Sequence, residues 1–255
     1  MKRLIAACVL LLAALPFAFG QRKTIVATGS GVSANLLKEI IALTGKDSAR
    51  VCFVPTAGRD SDKSLEGWRS KCAEAGIEPR FLKVWVSSDT KETFEEIIMG
   101  SDAIVVGGGN TLNMMGIWHA QGIDTLLVKA YSKGIVLAGG SAGAICWFES
   151  GISDSRPVEI CSVDGLGLLP CGVCPHFEKE ARKEVFRRKL SGGEMTPGYA
   201  LDSPAGIVFF DGKSVDFFTE KEGSDSYTVS LSADGQPIYT PNNSRLLGAQ
   251  LPGNK

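Results

Sequence analysis

Residues 134–138 (GIVLA) run without interruption into Gly139-Gly140-Ser141-Ala142-Gly143, and few folds accommodate that passage. A short apolar run with β-branched residues reads as a buried strand, and the small residues after it imply a tight turn into a helix. In the pattern G-x-S-x-G such a turn lifts a serine to the carboxyl edge of a sheet, Oγ exposed, with small neighbours that let a substrate approach. Gly139 and Gly143 are the permissive positions the turn requires. The same residues also fit a plain strand-to-helix turn whose serine only caps the helix. A nucleophile needs a base, so the rest of the chain has to separate the two.

The flanking pattern places this turn in an α/β fold. Residues 24–27, 51–54, 80–84, 103–106 and 135–137 read as short buried strands. Helical patterns fall at 34–44, at 90–99 with Asp89 as cap, between the fourth and fifth strands, and up to residue 75 after a polar loop at 56–63. This alternation implies a doubly wound, mostly parallel sheet. Beyond the turn the pattern loosens. Short strands are expected near Val158 and Val173 and at 205–210 and 215–218, with a helix over 179–190 and a hairpin turn at Asp211-Gly212. Pro, Asn and Gly accumulate after residue 235, so 235–255 reads as a weakly ordered tail behind one domain over 21–234.

Lys2 and Arg3, an apolar stretch from Leu4 to Leu15, and Ala18-Phe19-Gly20 have the order of a secretory signal over residues 1–20. The expectation is an exported protein, periplasmic or extracellular, with no stable membrane association after cleavage at Gln21. The apolar stretch is short for a membrane span. A formal charge of −1 argues against a nucleic-acid footprint. Cys52, Cys72, Cys146, Cys161, Cys171 and Cys174 follow the leader, an even count that permits disulfides in an exported protein. Cys171-Gly-Val-Cys174 lacks the helix start a redox pair wants and the further ligands zinc needs, so local bridging or packing is expected and no metal.

A second element carries chemistry. Residues 105–111 (VVGGGNT) read as a strand, three glycines and a helix start, with backbone N–H groups able to hold an anion or oxyanion. The spacing matches neither nucleotide-binding glycine motif. Asn110 also fits as a helix cap. Of the two histidines, His119 falls mid-helix on a partly exposed face, whereas His176, in Val173-Cys174-Pro175-His176-Phe177, stands at an edge between an apolar segment and a charged helix.

Taken together, residues 105–111, Gly139 to Ala144, Leu166 to Leu169, Pro175-His176-Phe177 and Arg182 resemble, in that order, the peptidase E / cyanophycinase family of serine peptidases. The resemblance spans about residues 24–218 and implies a flavodoxin-like α/β fold related to class I glutamine amidotransferases. It implies hydrolysis of an amide bond beside an aspartyl residue, Asp-X dipeptides among the small-peptide substrates, with no metal and no cofactor. Carried over by position, Ser141 is the nucleophile and His176 the general base. The N–H groups of Gly109 and Ala142 form the oxyanion hole, Asn110 lies beside the substrate, and Arg182 faces an acidic substrate side chain.

The third triad member departs from the family pattern. Where a glutamate is usual, this chain has Ser203, preceded by Asp202. Asp202 is the favoured partner of His176, weak orientation by Ser203 is the alternative, and Glu159 is a distant second. Adjacent strand residues point to opposite faces, so the one-residue shift matters. A cyanophycinase-like hydrolase of β-aspartyl peptides and a non-catalytic exported binding protein with a degraded triad are the alternatives. The oligomeric state is left open, a homodimer included.

Overall fold

The computed structural model describes residues 22–86 and 91–248. The expected leader, the Asp89 cap and residues 249–255 of the expected tail lie outside the described residues. In chain order the first half holds β1 (Thr24–Thr28), α1 (Ala34–Leu43), β2 (Val51–Val54), α2 (Asp62–Ala75), β3 (Arg80–Phe81), α3 (Phe94–Met99) and β4 (Ala103–Val106). It continues with α4 (Thr111–Gln121), α5 (Ile123–Ser132), β5 (Val136–Gly140) and α6 (Ala142–Ile145). Then follow β6 (Phe148–Arg156), β7 (Glu159–Asp164), β8 (Leu169–Pro175), α7 (Glu180–Ser191) and β9 (Tyr199–Leu201). The last strands are β10 (Gly206–Phe210), β11 (Lys213–Thr219), β12 (Ser226–Leu231), β13 (Pro237–Pro241) and β14 (Arg245–Leu246).

The expected mostly parallel sheet is there. Eight strands run in the order β14-β11-β10-β1-β5-β4-β2-β3, and β1, β5, β4, β2 and β3 pair in parallel. Every residue of β1, β4 and β5 is buried, because helices cover both faces. On one face α1 and α2 bring Leu36, Leu37, Ile40 and Trp68 against Val26, Val105 and Ala138. On the other, α4 and α5 bring Trp118, Ile123 and Leu127 against Ile25, Ile104 and Leu137.

β6–β9 with β12 and β13 form another sheet, order β13-β12-β9-β8-β6-β7, in which β6, β8 and β9 are parallel neighbours. Here the structure corrects several expectations. The expected strand near Val158 is present as β7, with β6 ending just before it, although Val158 itself is the exposed turn residue between them, at φ 57°. The third strand stops at Phe81 because the N–H groups of Val84 and Trp85 leave the sheet for the Asp60 carboxylate, at 2.6 and 2.8 Å. α3 begins after Thr93, where a reciprocal capping box with Glu96 satisfies the first turn. Residues 235–248 are no loose tail: β13 pairs along β12, and Tyr239 packs on Phe177 and Phe186. Pro237 and Pro241 obscure this strand in sequence, yet an edge strand tolerates prolines. Among the described residues the six cysteines are free thiols, four of them buried, and Cys171 and Cys174 pack against apolar clusters.

The passage from β5 into α6 is enclosed by backbone. A Cβ on Gly140 would lie 1.6 Å from the Ser30 carbonyl oxygen, and one on Gly143 would lie 2.1 Å from that of Val106. Gly140→Ala should therefore destabilise the fold by about 3 kcal/mol or more, measured by urea unfolding. Gly67→Ala, on the exposed side of α2 with nothing within 4 Å, should stabilise it by about 0.5–1 kcal/mol.

Candidate active site

Ser141 occupies the junction of β5 and α6 with φ 56° and ψ −114°, a backbone conformation that non-glycine residues rarely adopt. Hydrogen bonds grip it from both sides. Its N–H donates to the Thr28 carbonyl at 3.1 Å, and its own carbonyl accepts from Ala144 and Ile145, each at 3.0 Å. The hydroxyl makes no capping bond to α6. Instead Oγ stands 2.9 Å from Nε2 of His176, so the serine faces a base and does not serve as a cap.

His176 is delivered by the second sheet. β8 and β9 pair in parallel with Pro175 opposite Leu201, so the residues that follow, His176 and the 202–203 pair, leave the sheet side by side. The Nδ1 atom of His176 lies 2.7 Å from Ser203 Oγ. Ser203 in turn donates its hydroxyl hydrogen to Glu178 Oε1 at 3.0 Å, and its N–H to Oε2 at 2.9 Å. A hydroxyl has one hydrogen. With that hydrogen on Glu178, Ser203 Oγ can only accept from Nδ1–H. His176 then carries its proton on Nδ1, which leaves Nε2 as the acceptor for the Ser141 hydroxyl.

Electrostatics agree with this polarity. Burial pushes the Glu178 carboxyl up, but the hydrogen bonds from Ser203 and the nearby imidazole outweigh it, and the net shift is downward, so Glu178 is ionised. His176 is held below its ordinary value, first by burial and then by the charges of Arg182 and Lys179. At neutral pH it is the free base.

Asp202, the expected partner of His176, is not one. Its side chain turns the other way and accepts from the Asp225 N–H at 3.2 Å and the Tyr227 hydroxyl at 3.4 Å. The physical reason is strand alternation: Ser203, one residue on, takes the face toward the imidazole. Burial raises the Asp202 carboxyl, and the hydrogen bond from Asp225 opposes that. Glu159 is also elsewhere, on β7 and 3.8 Å from Arg156. His119 is exposed and pairs with Asp124 at 3.1 Å.

The glycine loop after β4 lies against Ser141. A Cβ on Gly108 would be 3.5 Å from Ser141 Cβ and 4.0 Å from its Oγ. Gly109 has φ 142°, and a Cβ there would strike the Ala57 carbonyl at 2.1 Å, so glycine is required. Among the described residues, the N–H groups of Gly109 and Ala142 donate no hydrogen bond. Asn110 is the N-cap of α4: its Oδ1 accepts from Asn113 at 2.8 Å, and its Nδ2 donates to the Ser155 carbonyl at 2.9 Å. Both ends of this side chain are engaged by the protein. A cavity of about 260 Å³ opens beside the loop, lined by Pro55, Lys63, Trp68, Lys71, Gly107 and Gly108. A larger one, about 540 Å³, lies away from this edge, at the amino ends of β1 and β5.

Arg182 does not face open solvent. It donates to the Ile152 carbonyl at 2.8 Å and pairs with Asp154 at 2.9 Å. Sequence inspection missed Glu178 and Asp154. Glu178 sits two residues after His176, a short offset that could have drawn attention, but it merges with the charged run opening α7.

The model of Peptidase family S51 matches residues 25–217. An uncharacterized peptidase, YgaJ, of Bacillus subtilis is 32% identical over 82% of this chain and 93% of its own. A peptidase E of Streptomyces coelicolor is 34% identical over 58% and 63%, respectively. A probable alpha-aspartyl dipeptidase of Drosophila melanogaster is 28% identical over 50% and 52%. Among solved structures, a peptidase from an acI-B1 Actinobacterium superposes with TM-score 0.61 at 20% identity, covering 86% of this chain and 98% of that one. At that identity the likeness speaks to the fold.

Ser203→Ala should lower kcat by about 10- to 100-fold with little change in KM, because Nδ1–H loses its acceptor and the imidazole its fixed tautomer. A fall under about threefold would make Ser203 mere packing. Since protonated His176 cannot accept from Ser141, kcat/KM should rise with pH through a midpoint below 6.5. A pH–rate profile on any cleaved peptide reads this, and a midpoint above the ordinary histidine value would contradict it.

Proposed function

Because the chain belongs to peptidase family S51 and is a serine-type peptidase, we propose that it hydrolyses small peptides through an acyl-enzyme on Ser141. The observation that carries this reading is the 2.9 Å contact between Ser141 Oγ and His176 Nε2, on a histidine whose other nitrogen is tied through Ser203 to Glu178. Oγ attacks the scissile carbonyl while Nε2 takes its proton. The displaced carbonyl electron pair comes to rest on oxygen, facing the N–H groups of Gly109 and Ala142. As the tetrahedral state collapses, the imidazolium gives that proton to the departing amine. Water then repeats the sequence on the ester, with His176 again as base, and releases the acid. One oxyanion donor is typically worth about 3 kcal/mol of barrier.

The strained turn at Ser141 supports a nucleophile elbow, since such backbone persists where its surroundings over-determine it. The chain of hydrogen bonds from His176 to Glu178 argues against a degraded triad and hence against a purely binding role. A preference for Asp-X peptides would draw on Arg182, whose guanidinium is already engaged. Export is part of the proposal: the basic, apolar and small-residue order of residues 2–20 supports it. A secreted chain starting at Gln21 would test it.

Incubation with a fluorophosphonate followed by peptide mapping should place the adduct on Ser141, and Ser141→Ala should abolish both labelling and peptide cleavage. Cleavage that survives in Ser141→Ala, or an adduct elsewhere, would end the proposal.

A further inference from the structure

The charged pair beside the reacting groups has a definite inside and outside. The Arg182 side chain is 4% exposed and Asp154 is 65% exposed, with Nη2 and Oδ2 2.9 Å apart. The second terminal nitrogen of Arg182 donates to the Ile152 carbonyl at 2.8 Å. Protein and Asp154 together therefore seal the guanidinium, and the face this pair turns to water is a carboxylate. The Arg182 charge also holds the Asp154 carboxyl below its ordinary range against the effect of burial, so that face is anionic at neutral pH.

Its position follows from strand register. β6 and β8 run parallel with Gly151 opposite Val173, which sets Asp154, further along, level with His176. Asp154 and His176 act on each other electrostatically. Ser155, the next residue, is stitched to the glycine loop's helix: its carbonyl accepts from Asn110 and its Oγ accepts from the Leu112 N–H at 3.2 Å. Asp154 thus stands on the rim between that loop and the histidine. Of the other charges there, Glu178 is occupied by Ser203, and Lys179 is exposed, where a mobile lysine pairs weakly.

We propose that Asp154 sets the charge preference of the site, selecting substrates with a cationic group beside the scissile carbonyl and disfavouring acidic residues there. The cation is a basic side chain on the residue that carries the scissile carbonyl. A substrate carboxylate would have to displace Asp154 from Arg182 and meets like charge on approach; an ammonium group meets an exposed carboxylate. This inference rests on the serine-peptidase reading above.

The test compares kcat/KM for Lys-Ala, Ala-Ala and Asp-Ala in the full-length protein and in Asp154→Asn and Asp154→Glu. The wild type should favour Lys-Ala over Asp-Ala by about tenfold or more. Asp154→Asn should shrink that ratio by about tenfold, while Asp154→Glu, which keeps the charge, should hold it. A wild type that favours Asp-Ala, or a ratio unchanged in Asp154→Asn, overturns the proposal. Should Asp154→Asn fail to fold, the wild-type preference and the Asp154→Glu ratio still decide. Absence of any turnover together with absence of a fluorophosphonate adduct on Ser141 rejects the serine-peptidase reading itself, and this proposal with it. Turnover with a Ser141 adduct and no charge preference rejects this proposal alone.

Discussion

The single hydrogen of the Ser203 hydroxyl sets the direction of every other proton at the candidate site. Glu178 is ionised and can only accept, so that hydrogen is committed to it. The Nδ1 proton of His176 must then point at Ser203, and Nε2 is left with a lone pair aimed at Ser141. A carboxylate placed directly on the imidazole would have the same effect on the tautomer. Here the carboxylate acts at one remove, through a neutral hydroxyl, and burial with the charges of Arg182 and Lys179 keeps the imidazole unprotonated.

Two separate pieces of architecture have to meet for this chain of hydrogen bonds to exist. The first sheet supplies Ser141, squeezed into its turn between the Ser30 and Val106 carbonyls by glycines that cannot be enlarged. The second sheet supplies His176 and Ser203 from the neighbouring ends of β8 and β9. β6 follows directly on α6 and pairs with β8, so the turn that carries Ser141 is also the first covalent crossing from one sheet to the other. A shift of one residue in the β8–β9 register would offer Asp202 to the imidazole in place of Ser203, and with it a different electrostatic environment.

Arg182 illustrates how burial changes the meaning of a charged residue. On an exposed helix face an arginine is a cation available to a ligand. Sealed against the Ile152 carbonyl and the Asp154 carboxylate, it instead anchors α7 to β6 and leaves a negative charge at the surface. The residue that a substrate can meet is its partner.

Local chemistry alone was enough for the strand–turn–helix passage at Ser141, the glycine loop at 107–109, the parallel strands of the first sheet and the turn at Asp211-Gly212. In each the signal is short-range: apolar runs that only a covered sheet accommodates, and glycines where no Cβ fits. That His176 stands at an edge was also legible, and it is His176, not His119, whose ring lies against Ser141. What only the tertiary structure decided is which side chains share a face across strands distant in sequence. Asp202 was the natural guess for the imidazole's partner, because a carboxylate is the usual third member and nothing within 202–203 says which residue turns inward. Pairing with β8 and β12 made that choice, and it brought Glu178 to Ser203 and Asp154 to Arg182. Such contacts depend on register between separate strands and on what burial leaves exposed, and neither quantity is written in the local order of residues.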